Sequence, residues 1–437
     1  MRARAGRDRV GGPASRRLDR RAPRTVRLYL LLALIALLFA SGLGTGFDLA
    51  VRLNYALILL IAVSWVWSRW GFERISATVE RPATEVSVGD TISELISLEN
   101  RGGPPKSWLE VEDQTTIPGL KIAEVVSLPG LIAFRRFRIE FQLRQRGEYT
   151  IGPLVVRAAD PFGLFPYEAE YAEKQDVLVY PRVVDLPDYA SPSALLAGDA
   201  SRRRRSYILS PEVSSVRDYS AGDSISRIHW PSTARSGKLM VKTFDQGRAN
   251  EMWVVLDQQA ETAMGEGVDS TDETAATIAA STVHKYLGLQ LPVGFASVGS
   301  EGMVLPPERG PGQRSEVFGH IAKSRPEGEQ PLFSLLAELE REVSRGSSIV
   351  AITSAPDGDW VDAMGALQKR GVQAVVVLLD RTSWDPELEE ETSRARLVAY
   401  GVRTYVVRRG VSPAAALVEP ELPSLLDRIH SAAEAAG

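Results

Sequence analysis

The sequence predicts a multidomain protein. It has an N-terminal pair of apolar helices, then a small antiparallel β-sandwich, then an α/β domain with a doubly wound, Rossmann-like sheet. Three observations predict this. Two uncharged apolar runs stand within the first 70 residues. Short period-two segments punctuated by Gly and Pro fill 71–185. Continuous apolar strands alternate with helical periods across 251–437, the pattern of a parallel sheet covered on both faces. The boundaries read as a basic tail at 1–27, two spans at 28–70, a β-sandwich at 71–185, a linker and motif-bearing segment at 186–250, and the α/β domain at 251–437.

The helices come first because they set the location. Leu28 to Leu43 (LYLLLALIALLFASGL) and Leu53 to Trp67 (LNYALILLIAVSWVW) carry no charge. Flanking residues extend each toward the roughly 20 residues that a bilayer span needs. The link holds Gly42, Gly44 and Gly46, so the two runs read as a transmembrane helical hairpin. Backbone groups in lipid must pair within their own segment, which makes both runs helical. Ten arginines and two aspartates lie in residues 1–27, a charge of +8, whereas the joining loop holds only Asp48 and Arg52. The positive-inside rule then places the N-terminus in the cytoplasm, and with it everything after about residue 70. The expected location is the inner or plasma membrane.

Composition narrows the chemistry. The 437 residues include no Cys, which excludes disulfides, thiolate metal sites and cysteine nucleophiles. Four histidines (His229, His284, His320 and His430) are too few for a multi-histidine metal enzyme. Net charge is −4, so the body beyond the tail carries −12 and nucleic-acid binding is not indicated. No Walker A loop, G-x-S-x-G elbow or H-E-x-x-H helix is present.

In the β region, Val86 to Asp90, Thr91 to Leu98, Trp108 to Val111, Ile132 to Leu143 and Thr150 to Val156 read as strands. Asp160 to Phe165 (DPFGLF) reads as a packed turn, and 186–211, with Arg202 to Arg205, as a solvated linker. In the α/β region the expected strands are Met252 to Leu256, Val293 to Val298, Ser348 to Thr353, Val372 to Leu379 and Val402 to Val407. Helices are expected over Asp272 to Leu287, Pro331 to Val343, Trp360 to Lys369 and within Pro413 to His430. Ligands on such sheets bind at the carboxyl ends of the strands, which directs attention to Asp257, the loop after Thr353, and Asp380.

Residues 212–244 (EVSSVRDYSAGDSISRIHWPSTARSGKLMVKTF) are the most informative segment. Gly222-Asp223 reads as a turn with Asp223 capping a short helix, and Arg227 lies four residues on, at ion-pair spacing. Pro231 reads as the stop of that helix, and Gly237 as the release into a strand. The surplus of Arg and Lys has two readings: charge-assisted bonds that hold the neighbouring sheet, or a surface for an acidic partner. His229 with Asp218 or Asp223 suggests a hydrolase, although no nucleophile accompanies them.

The run RDYSAGDSISRIHWPSTARSGKLMVK resembles the signature of the bacterial family catalogued as domain of unknown function 58. The matching residues are Arg217, Asp218, Tyr219, Gly222, Asp223, Arg227, Ile228, His229, Trp230, Ser232, Ala234, Arg235, Lys238 and Leu239, with Arg146-Gly147, Tyr149 and Asp160 to Leu164 upstream. The resemblance implies a membrane-tethered β domain followed by a von Willebrand factor type A-like domain. Its genes commonly neighbour those of MoxR-type AAA+ ATPases and membrane transglutaminase-like proteins. That implies a non-enzymatic interaction or scaffold protein in a chaperone-like or complex-maturation system. Domains resembling von Willebrand factor type A often bind a divalent metal through Asp-x-Ser-x-Ser, a later Thr and a later Asp. Here Asp257-Gln258-Gln259-Ala260-Glu261 keeps the first Asp alone, and Asp257, Glu261 and Asp357 are the residues that would hold magnesium in an adhesion-type module. No other cofactor is expected.

Overall fold

The computed structural model describes residues 26–45, 48–72, 74–81, 85–102, 104–190, 213–220, 228–244, 251–300, 302–388 and 392–420. The chain divides into two compact units, Met1–Val179 and Tyr180–Gly437. Most of the basic tail, the run Arg202 to Arg205, the residues Gly222, Asp223 and Arg227, and the helical turns expected toward His430 lie outside the described residues.

The first unit opens with two helices, α1 (Val26–Thr45) and α2 (Asp48–Phe72). At 1.5 Å per residue, α2 is roughly 37 Å long. Its stretch Asp48–Trp70 is long and apolar enough to cross a membrane, with mean hydropathy 1.9, and Val26–Gly42 is a shorter apolar helix. The helices pack closely. A Cβ on Gly42 would stand 3.1 Å from Val51 Cγ2, and Asn54 Nδ2 donates to Ile35 O at 3.3 Å.

Nine strands follow: β1 (Ile75–Glu80), β2 (Glu85–Ser87), β3 (Thr91–Arg101), β4 (Lys106–Thr115), β5 (Ile122–Leu128), β6 (Ile132–Gln142), β7 (Gly147–Ala158), β8 (Tyr167–Ala172) and β9 (Gln175–Tyr180). One sheet has the order β1-β3-β6 and the other β2-β9-β7-β4-β5, with β8 also on β7. The pairings among β1, β3 and β6, and those of β4 with β5 and of β7 with β4, β8 and β9, are antiparallel. Ile96 and Leu98 from the first sheet share a core with Leu109, Val111, Leu154 and Val156 from the second.

Strand β3 shows why the alternation works and what it hides. Its inward positions are Ile92, Glu94, Ile96, Leu98 and Asn100. Period two therefore drives a carboxylate into the core. Arg81 makes a two-pronged ion pair with Asp113 (2.8 and 2.9 Å), which neutralises that acid. Glu94 is fully buried and neither of its oxygens has a hydrogen-bond partner. Burial, and then the nearby Asp113 charge, push the Glu94 carboxyl up to about 8.

The second unit holds a two-stranded antiparallel ribbon, β10 (Val213–Asp218) with β11 (Met240–Phe244), and between them the short helix α3 (Trp230–Ser236). Its main sheet contains β12 (Met252–Asp257), β13 (Val293–Val298), β14 (Met303–Glu308), β15 (Ser348–Thr353), β16 (Gln373–Leu379) and β17 (Arg403–Val407), in the order β14-β13-β12-β15-β16-β17. Five strands are parallel, and β14 runs antiparallel at the edge. Among the described residues the sheet is accompanied by α4 (Thr271–Gly288), α5 (Pro311–Lys323), α6 (Leu332–Leu339), α7 (Asp359–Lys369) and α8 (Ser393–Ala399), followed by the single turn α9 (Pro413–Ala416). Helices α4 and α5 cover one face, with Ile278, Val283, Val317 and Ile321 packed on Val254, Val350 and Val375. Helices α6, α7 and α8 cover the other, with Leu336, Val361 and Leu397 packed on Val255, Ala351 and Val376.

Three sequence expectations are corrected here. Residues 303–323, read as a loop around Pro306 to Arg314, form β14 and α5. The segment from 186, read as linker, joins the α/β core: Tyr189 bonds Thr282 at 2.6 Å, Ala190 N donates to the Tyr286 hydroxyl at 2.9 Å, and Lys285 Nζ caps Leu186 O at 2.8 Å. Pro231 opens a helix, lying in its first turn, where its missing N–H has no cost.

Two outcomes test these packings. Gly294 on β13 lets Trp253 lie flat against the backbone, since a Cβ there would stand 2.8 Å from the indole ring. Gly294→Ala should destabilise the α/β unit by about 1–3 kcal/mol in urea titration. Glu94 binds its proton more tightly folded than unfolded, so its contribution to stability is full below about pH 4.5 and is lost as pH rises toward about 8. Glu94→Gln should flatten that loss and raise the melting temperature at pH 8 relative to wild type.

Candidate functional site

Two places in the second unit carry the residues that the sequence singles out. One is the carboxyl edge of the main sheet. Strand order reverses at β12, so the crevice between β12 and β15 is where doubly wound sheets bind ligands. Asp257 stands at the end of β12 and is 5% exposed. Its Oδ2 accepts from the Thr353 hydroxyl at 2.5 Å, and its Oδ1 accepts from Gln259 N and Nε2 at 3.2 and 3.0 Å. Burial raises the Asp257 pKa, and these donors oppose the rise.

This arrangement does not fit a magnesium ion. Both oxygens of Asp257 already accept hydrogen bonds from Thr353 and Gln259. Glu261 is exposed on the 3-10 turn Ala260–Thr262. Asp357 accepts from Arg396 Nη1 and Thr392 Oγ1, both at 2.6 Å. Among the described residues no three His, Asp or Glu side chains gather as a cation site. Asp380, at the end of β16, is an ionic anchor: burial opposes its ionisation, but Thr382, Arg408 and Arg394 outweigh that and hold its pKa low.

The other place is the ribbon, which gathers Arg217, Asp218 and Tyr219 on and after β10 against Lys238 and Leu239 before β11. Tyr219 N donates to Leu239 O at 2.9 Å and His229 N to Met240 O at 2.8 Å. His229 is the N-cap of α3. Its Nδ1 accepts from Ser232 N at 3.3 Å and lies 2.7 Å from Ser232 Oγ. The helix ends at Gly237, whose φ of 67° is the left-handed conformation that suits glycine, with its N–H on Thr233 O at 2.9 Å. The imidazole is therefore committed to holding local backbone rather than to a nucleophile.

Helix α3 buries none of its residues. Trp230 is 63% exposed, Tyr219 and Leu239 are also exposed, and Arg235 and Lys238 stand beside them in solvent. Ile228 and Val241 supply the small buried side of the ribbon. Sequence reasoning named Tyr219, Trp230, Arg235 and Lys238 but left open which way they face. It missed Thr353, because the search after β15 was for an acid, whereas the buried Asp257 takes a hydroxyl donor.

An exposed ribbon of aromatic and basic side chains on a doubly wound α/β domain is an arrangement suited to recognition. Residues 215–388 match the model of the family described as protein of unknown function DUF58, in agreement over that stretch with the resemblance carried by the signature. The chain is similar to the uncharacterized protein YeaD of Bacillus subtilis, 23% identical over 393 residues that cover 88% of this chain and 96% of the relative. Among solved structures, proximal thread matrix protein 1 from mussel byssus has a TM-score of 0.28 at 10% identity, covering 38% of this chain and 46% of that one. The CARDB domain of a Pyrococcus furiosus protein has a TM-score of 0.18 at 16% identity, covering 24% of this chain and 86% of that one. Scores that low carry no argument about fold or function.

Thr353→Val leaves Asp257 Oδ2 buried without its donor, which should cost about 1–3 kcal/mol. Because the folded-state pKa of Asp257 is already raised, stability falls as pH rises through its titration, and the variant should steepen that fall. Chemical denaturation at several pH values reads both effects.

Proposed function

We propose that this chain is a membrane-anchored, non-enzymatic interaction protein whose ribbon docks a MoxR-type AAA+ ATPase. In this reading α1 and α2 form a two-span hairpin in the cell membrane, and both the N-terminus and the body lie in the cytoplasm. The arginine-rich leader supports that orientation, since positive charge is retained on the cytoplasmic side. The α/β unit is read as a von Willebrand factor type A-like module. The doubly wound strand order and the placement of Asp257 after the unit's first sheet strand support this.

One observation carries the interaction reading. Five described residues of the signature are turned outward, with Trp230, Tyr219 and Leu239 offering apolar surface and Arg235 and Lys238 offering positive charge. Trp, Tyr and Arg are the side chains that most often anchor interfaces. Scaffolding of the neighbouring sheet would bury this helix, and α3 buries nothing. The basic rim suits an acidic patch on the partner and steers encounter.

A photo-crosslinking residue at position 239 in native membranes should form an adduct with an AAA+ ATPase in a nucleotide-sensitive way. Trp230→Ala should weaken its capture by about 2 kcal/mol or more. Repeated recovery of no ATPase from membranes in which the protein is intact would contradict the partnership.

A further inference from the structure

The first unit carries a second surface that the proposed function does not use. Strand direction gives the sandwich two ends. Strand β1 leaves the end next to α2, β3 returns to it, β4 leaves it, β5 returns and β6 leaves again. The turns at the helix-proximal end are therefore 102–105, 129–131 and 159–166. Of the exposed large apolar side chains on the described sandwich, Trp108, Leu131, Ile132, Phe134 and Phe162 stand at this end. Ile132 is 83% exposed and Phe134 66%. The turns at the opposite end expose Asp90, Lys121 and Arg144, and no large apolar side chain there is exposed among the described residues.

The apolar end is tied to the place where the helices emerge. Arg74 follows the end of α2 at Phe72. Its carbonyl accepts from Arg101 N at 2.8 Å, and its Nη1 donates to Gly102 O at 3.0 Å. Gly102 N in turn donates to Leu131 O at 3.0 Å, so two short steps connect the helix exit to the exposed Leu131-Ile132 tip. The 160–165 turn reaches the helices directly. Asp160 accepts from Phe162 N at 3.0 Å and Phe165 N at 2.7 Å, which fixes the turn and sends Phe162 outward. Ser68 Oγ donates to Phe165 O at 3.4 Å. The Phe165 ring lines an apolar cavity of about 360 Å³ with Leu32, Ile35, Ile58, Ile61 and Trp65 of the two helices. A Cβ on Gly163 would lie 2.9 Å from Arg27 Nη1, at the start of α1.

Arg27, Arg74 and Arg101 thus stand around the same end as the exposed apolar tips, and Arg101 is paired directly opposite Ile132. Aromatic and aliphatic tips with a rim of arginines match the boundary between acyl chains and anionic headgroups. We infer that the helix-proximal end of the β-sandwich is a lipid-binding surface, with the 129–134 and 160–165 turns seated in the interface of the leaflet from which α1 and α2 emerge. The inference rests on the reading of those helices as membrane spans. It adds that the sandwich lies against the bilayer instead of hanging free of it.

The lack of cysteine makes a clean test. Full-length chains with a single Ile132→Cys, Phe162→Cys, Lys121→Cys or Leu59→Cys substitution are labelled with bimane and reconstituted in vesicles of phosphatidylcholine and phosphatidylglycerol. Labels at 132 and 162 should lose fluorescence to a nitroxide-bearing lipid and resist aqueous iodide. The label at 121 should do the reverse, and the label at 59 reports the span itself. Iodide quenching at 132 and 162 as strong as at 121, with 59 still quenched from the lipid, would overturn the inference and leave the spans standing. Shielding of 132 and 162 from both quenchers would mean that protein, such as a second copy, covers this end, and would equally overturn it. Iodide access at 59 would remove the span reading and this inference with it.

Discussion

The structure is governed by one constraint, the cost of apolar helical surface in water. Helices α1 and α2 turn leucine, isoleucine and tryptophan outward along their length, with Leu30, Leu37, Leu59, Trp65 and Trp70 all exposed. Such surface is worth roughly 25 cal/mol per Å² when withdrawn from water. Nothing else among the described residues of the first unit presents so much of it. Helices with paired backbones suit lipid because each satisfies its own N–H and C=O groups. If lipid is their solvent, then the arginines at their ends and the apolar turns of the sandwich acquire a common plane.

The two units use different physics to hold their shapes. The sandwich keeps an ionic cluster in its interior, where Arg81 neutralises Asp113 and Glu94 stays uncharged by holding its proton. Burying one acid more than the available cation costs stability as pH rises, a cost that an apolar residue at position 94 would not carry. The α/β unit instead buries the central strands of its sheet on both faces and leaves its candidate sites at the edges. At one edge Asp257 is spent on Thr353 and Gln259, so a position suited to metal ligation acts as an internal bond. The ribbon of β10, α3 and β11 is the opposite case: little is buried, and its aromatic and basic groups are available.

Much of this was legible in the sequence, for physical reasons. Strong periodicity located α4, the five parallel strands and the long strands β3 and β6. The strand β14 and helix α5 were missed because Pro306, Pro307, Gly310 and Pro311 read as a loop. Yet proline is tolerated on an edge strand, where its missing N–H breaks no ladder, and in the first turn of a helix. The 186–190 segment was missed because it is too short and irregular to show a period, while Leu186, Tyr189 and Ala190 reach the α/β core and their hydrogen-bond partners Thr282, Lys285 and Tyr286 are distant in sequence. The outward turn of Trp230 and the hydroxyl partner of Asp257 were likewise unreadable, since both depend on residues distant in sequence. Gly222, Asp223 and Arg227 of the signature lie outside the described residues, so their expected cap and ion pair stay as readings of the sequence.

The central claim is that the helical pair returns the body to the cell interior. Protease added to intact spheroplasts tests it most directly, with inverted membrane vesicles as the mirror arm. The account predicts that the chain beyond α2 survives in spheroplasts and is digested in inverted vesicles. Digestion of that portion from outside the intact cell would contradict it.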